Sequence, residues 1–208
     1  MKRNNLILYI VAGSLVFAAA LAVRGSSLQQ HDSDNESSQY AKQLASVDPL
    51  ARQEAAEALA RLVALDQKKL IEGFVLQEKD KRVRLALNWA LYRMGKSAVL
   101  FQIVRDLDSS RQDQAAAYLS QLESAEPLYL FLHQENTRPK VTTGVIEVLG
   151  RIGDTEALQQ IKPFLDSYDP KISEAAQSAT SLIQQRLSEA LPAPKTRPRT
   201  TTAKTDRP

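Results

Sequence analysis

Histidine, cysteine and paired carboxylates carry most protein chemistry, and this chain of 208 residues is sparing with them. It has no Cys and two His, His31 and His133. Without a thiol there is no disulfide framework, thiolate zinc site, cysteine nucleophile or lipid-modified N-terminal cysteine. Two distant histidines are too few for a multi-histidine metal site. His31, beside Gln30 and Asp32, reads as a solvated side chain. His133, in Leu-Phe-Leu-His-Gln-Glu, is placed to meet free carbonyls at a helix C-terminus rather than to serve a serine as base. Asp106 with Asp108, and Glu54 with Glu57, have the composition of an acid and base pair, yet in a chain rich in acids they read as solvated faces. Gly150-x-x-Gly153 precedes no Lys-Ser or Lys-Thr pair and so makes no phosphate loop. The expectation is a non-enzymatic chain with no cofactor and no metal.

What remains is the chemistry of recognition. Leu85, Trp89 and Tyr92 follow one another at spacings of four and three, a stripe displaced from the set Val83, Leu87, Ala90, Leu91 and Met94 on the same helix. Trp and Tyr are favoured interface anchors, so Leu85, Asn88, Trp89, Tyr92 and Arg93 form the candidate partner contact. The competing reading packs Trp89 against an adjoining repeat, because every internal repeat of an array has two apolar neighbours. Gln53, Glu57, Arg61, Asn88, Arg93, Gln121, Glu147 and Arg151 would then line a mixed-charge groove suited to a protein or peptide.

The elements that must position these residues are helices. From Tyr40 to Leu191 apolar residues recur at three and four residue spacing, with almost no strand signal. Five segments, starting at Asp48, Asp80, Asp108, Arg138 and Asp169, share one pattern of apolar or small residues, and their starts are 28 to 32 residues apart. Arg111 in the third and Thr180 in the fifth occupy apolar places. A near-constant period of that size predicts a stacked array. Shorter amphipathic segments lie between: Gln67 to Glu78, Ser97 to Leu107, Pro127 to Gln134 and Thr155 to Asp166, making each repeat a helical hairpin. Pro49, Pro127, Pro139 and Pro170 fall near helix starts, and Gly95 and Gly153 follow helix ends. Pro163 interrupts a helix and should kink it.

The stretch Glu147 to Ile183, EVLGRIGDTEALQQIKPFLDSYDPKISEAAQSATSLI, resembles the short bacterial HEAT repeats also called phycobiliprotein-lyase-type repeats. Asp48-Pro-Leu-Ala-Arg52 and Asp80-Lys-Arg-Val-Arg84 resemble the Asp-x-x-Val-Arg opening of that family's second helix. The resemblance implies an all-α, right-handed α-solenoid of about five hairpins, with Asp48, Arg52, Asp80, Arg84 and Asp169 as scaffold residues. Gln112, Thr142 and Ser173 stand where later repeats would carry the Arg. The resemblance also implies an alternative function, assistance in attaching bilin chromophores. It equally brings to mind repeat proteins that bind DNA, but those need a basic inner surface.

The distribution of charge decides against nucleic acid. The total is +3. Residues 1–27 carry +3 and residues 191–208 carry +4, which leaves −4 on the stretch 28–190. The basic start, Lys2 and Arg3, precedes an uncharged apolar run from Leu6 to Val23, long enough to cross a bilayer as one helix. Ala18, Ala20 and Ala22 also supply small residues at signal-peptidase spacing, so residues 1–24 read as a signal anchor or a signal peptide. Residues 25–39 read as a flexible linker, 40–191 as the repeat domain, and 192–208 as a disordered Pro- and Thr-rich tail whose five bases could touch an anionic surface. The whole reads as a protein-binding scaffold at the cell membrane, single-pass with its repeats outside the cytoplasm, or periplasmic or secreted after cleavage.

Overall fold

The computed structural model describes residues 35–134 and 137–190; the run Leu6 to Val23, His31, most of the expected linker and the basic tail lie outside the described residues. Those described form helices and no strand. They fall into two compact units that divide between Gln121 and Leu122, where the sequence period alone suggested one uninterrupted array.

The first unit contains α1 (35–43), α2 (Pro49–Leu62), α3 (Lys68–Gln77), α4 (Lys81–Arg93), α5 (Leu100–Arg105) and α6 (Gln112–Leu119). Helix α1 begins five residues inside the stretch expected to be linker. It is held there by Ala41 and Leu44, which are buried, and by the Ser37 hydroxyl donating to Asp66 at 3.0 Å. Asp48 and Asp80 cap α2 and α4 as expected: Asp48 accepts from the amide of Leu50 at 3.0 Å, and Asp80 from those of Arg82 and Val83 at 2.8 and 3.2 Å. Both helices close with the same six-to-one hydrogen bond, Ala64 to Leu59 and Lys96 to Leu91, around a left-handed residue. At α4 that residue is Gly95, φ 84°; at α2 it is Val63, φ 49°, a β-branched residue in a region glycine favours.

Helix α4 is the centre of this unit, packed against α2, α3, α5 and α6 and buried at every position from Leu85 to Leu91. The third long helix differs from the sequence reading, since it starts at Gln112 and not at Asp108. Asp106–Asp108 form a 3₁₀ turn, after which the Ser109 hydroxyl donates to the Asp106 carbonyl and accepts from the Arg111 amide. Arg111, standing in an apolar place of the repeat, turns back to pair with Asp106 at 2.6 Å.

The second unit contains α7 (Glu126–His133), α8 (Pro139–Ile152), α9 (Thr155–Ile161) and α10 (Pro170–Ala190). Pro139 and Pro170 open α8 and α10, where a missing amide proton costs little. Asp154 caps α9, and Asp169 accepts from the amide of Lys171 at 2.9 Å. As Pro163 predicted, α9 stops at Ile161 and passes into a 3₁₀ turn over Lys162–Phe164. Helices α8 and α10 make the most extensive contact, through small residues. A Cβ on Gly150 would stand 2.9 Å from the Ala179 Cα and 3.0 Å from its Cβ, so the two backbones meet where neither side chain can grow. Gly153 is needed for a different reason from the one expected. Its φ of −66° is ordinary, but a Cβ there would lie 2.5 Å from that of Ala157.

Gly150→Val is therefore expected to cost about 1–3 kcal/mol by overpacking. Gly73→Ala, in the interior of α3 with nothing within 4 Å of the added Cβ, is expected to gain about 0.5–1 kcal/mol. Thermal melts followed by circular dichroism measure both, and a Gly150→Val melt equal to that of the parent would contradict the close approach.

Candidate functional site

The candidate contact on α4 lies inside the first unit. Leu85, Asn88 and Trp89 are 1%, 5% and 3% exposed, and only Tyr92 and Arg93 are half-exposed. The stripe is displaced from the helix's own core set because α4 has a second buried side, facing α6. Trp89 lies flat against Tyr92 and Tyr118, each with ring centroids 5.6 Å away and interplanar angles of 17° and 4°. Stacking at that separation adds to the area the rings bury. Arg93 closes over the indole with its guanidinium carbon 5.9 Å from the ring centroid. Asn88, expected on the surface of a groove, instead donates to Gln102 of α5 at 3.1 Å, with its Oδ1 buried and unpaired.

Tyr118 then reaches from α6 past α4 to α2. Its hydroxyl donates to Glu57 at 2.6 Å and accepts from Gln114 at 2.9 Å, while Glu57 also accepts from Gln53 at 2.9 Å. Gln114 is further tied to the carbonyl of Arg82. Burial, then the hydrogen bond to Glu57, pushes the Tyr118 phenol well above its ordinary range. This clasp covers the face of α4 that the sequence reading offered to a partner. Of the proposed groove, Gln53 and Glu57 are half-buried in the clasp, and Arg61, Gln121, Glu147 and Arg151 are exposed in their respective units.

Asp48 and Asp80 are taken by amides, so Arg52 and Arg84 both turn to Glu78, a residue the repeat pattern does not single out. Arg52 makes a two-pronged bond to the Glu78 carboxylate, 2.8 and 2.9 Å, and donates to the carbonyls of Ser46 and Val47. The guanidinium of Arg84 donates to the Glu78 carbonyl. Glu78 is 8% exposed, and its carboxylate also receives the Asp80 amide at 2.8 Å. The Arg52 guanidinium holds the Glu78 carboxyl below the usual carboxylate range, and Glu78 in turn raises Arg52.

Three of the remaining chemical candidates are held within the fold. His133 is the last residue of α7, as expected, but its ring bonds the side-chain oxygen of Gln160 at 2.6 Å rather than a backbone carbonyl. Asp106 is paired to Arg111, and Glu57 belongs to the clasp. Tyr129, buried and close to Asp154 and Glu156, has its phenol pushed up to about 12. Among the described residues no group of three or more Asp, Glu or His could hold a metal ion, and no helix is long and apolar enough to cross a membrane. Comparison with family models gives no match, and comparison with curated proteins gives none either.

Two outcomes follow. Tyr118→Phe leaves Glu57 and Gln114 without the hydroxyl and is expected to cost about 1 kcal/mol while altering the fluorescence of Trp89, the sole tryptophan. Unchanged emission would show that the ring does not depend on the clasp. For Glu78, a lowered carboxylate contributes stability that is full above its unfolded value, about 4.3, and lost as pH falls through the folded value. Glu78→Gln should therefore melt below the parent at neutral pH and converge with it in acid; a constant gap across the acid limb would exclude the ion pair as the cause.

Proposed function

We propose that this protein is a non-enzymatic, HEAT-like scaffold, exported and tethered to the membrane through residues 6–23, that binds a protein partner outside the cytoplasm. The observation that carries this reading is the serial packing of helices within each unit: α2 pairs with α4, with α3 and α5 against α4, and α8 pairs with α10, with α7 against α8 and α9 against α10. A right-handed repeat solenoid would build in this way, each hairpin burying its apolar face only against its neighbours and leaving its outer positions for recognition, and the pairing supports that reading. With the α4 stripe covered, partner contact falls to exposed positions, Arg61 of α2 and Gln121 in the turn after α6 in one unit, and Glu147 and Arg151 of α8 in the other. Their mixed charge suits a protein, and the −4 of residues 28–190 disfavours a polyanion. The basic tail adds attraction to an anionic surface.

Photo-crosslinking residues placed at Arg61, Gln121, Glu147 and Arg151 in intact cells are expected to capture a discrete protein species from the envelope fraction. Recovery of the chain in the cytosol, or no captured species at any of the four positions, would overturn the proposal.

A further inference from the structure

One end of the first unit, where α2 starts and α3 stops, carries three large apolar side chains in water. Val47 is 98% exposed, Leu76 86% and Leu50 60%. They come from separate stretches that the Arg52 guanidinium draws together, since it bonds the carbonyl of Val47 and the carboxylate of Glu78, two residues beyond Leu76. Exposed Lys79, Lys81 and Arg82 follow directly in the same turn. Of the acids at this end, Glu78 is paired with Arg52, while Asp48 and Asp80 accept helix amides and keep their charge, so that residues 46–52 and 76–84 together sum to +2.

We propose that this end of the first unit rests on an anionic lipid bilayer, with Val47, Leu50 and Leu76 entering the headgroup boundary and Lys79, Lys81 and Arg82 facing the phosphates. The inference deepens the tether reading and rests on it. Apolar tips within a basic rim are what an interfacial contact requires, and neither component alone gives firm attachment. Chain length permits the contact. Ten residues lie between Arg24 and residue 35, eleven steps and an extended span of at most about 40 Å, and Val47 lies four residues beyond the end of α1 at residue 43. The excess of bases, on a chain already read as held at a bilayer, favours a phosphate surface as the occupant.

The absence of Cys makes the test direct, because Leu76→Cys is a unique labelling site and Tyr168→Cys, fully exposed in the second unit, is its control. The full-length chain carrying an environment-sensitive fluorophore at either site is reconstituted with vesicles of phosphatidylcholine alone or mixed with phosphatidylglycerol. At low salt, nitroxide-bearing lipid is expected to quench the label at 76 several-fold more in the mixed vesicles. The effect should be lost when Lys79, Lys81 and Arg82 are changed together to Gln, while the label at 168 stays unquenched. Iodide reaching the label at 76 from water would overturn the proposal. So would shielding from iodide without quenching by lipid, which would mean that protein covers the patch, whether residues 6–23, a second copy or another chain. Flotation with the vesicles separates the two levels: a chain that floats with an unquenched label keeps its tether and loses this contact, and a chain that does not float loses both. Circular dichroism melts of each variant confirm that it is folded.

Discussion

A single buried carboxylate organises the start of the first unit. Glu78 accepts two bonds from Arg52 and one from the Asp80 amide, and its own carbonyl takes the Arg84 guanidinium. Arg52 in turn holds the carbonyls that end the turn after α1. Two charges withdrawn from water are costly unless each finds several partners in good geometry, and here both do. The consequence is that the entry to α2, the turn between α3 and α4, and the cap of α4 share one electrostatic node. Local capping and long-range packing cannot be altered separately there.

Elsewhere the constraint is steric. Helices α8 and α10 approach until Gly150 and Ala179 touch, and Gly153 admits Ala157. In the first unit the same kind of closeness is reached with aromatic side chains, since Trp89 fills the space beside α4 and Tyr118 crosses it to Glu57. A face closed in this way cannot serve as a groove. The aromatic stripe is therefore interior, and the exposed positions of the first unit lie at the ends and outer sides of its helices, Val47, Leu50 and Leu76 among them.

Much of this was legible in the residues. Asp48 and Asp80 are caps because a short carboxylate before an apolar period has free amides to accept from, and Pro139, Pro170 and Pro163 start or break helices because the ring fixes φ and lacks a proton. Other features were not legible. The start of α6 moves to Gln112 because Arg111 finds Asp106, a contact that spacing does not specify. Leu85, Trp89 and Tyr92 read as a partner face or as packing against an adjoining repeat, since a helical stripe states that a side is apolar and not what lies against it. Glu78 carries no such signal, because a glutamate before a capping aspartate looks like one more surface acid.

The sequence by itself determined the helices, their order and most of their ends, because these depend on period, caps and proline, all of which act within a few residues. Only the tertiary structure decided which apolar sides meet each other, that Asn88 and Trp89 lie inside, that Arg52 and Arg84 converge on Glu78, and that the chain divides at Gln121. Those outcomes depend on which side chains come close in space from positions as far apart as Glu57 and Tyr118, and no local pattern carries that distance.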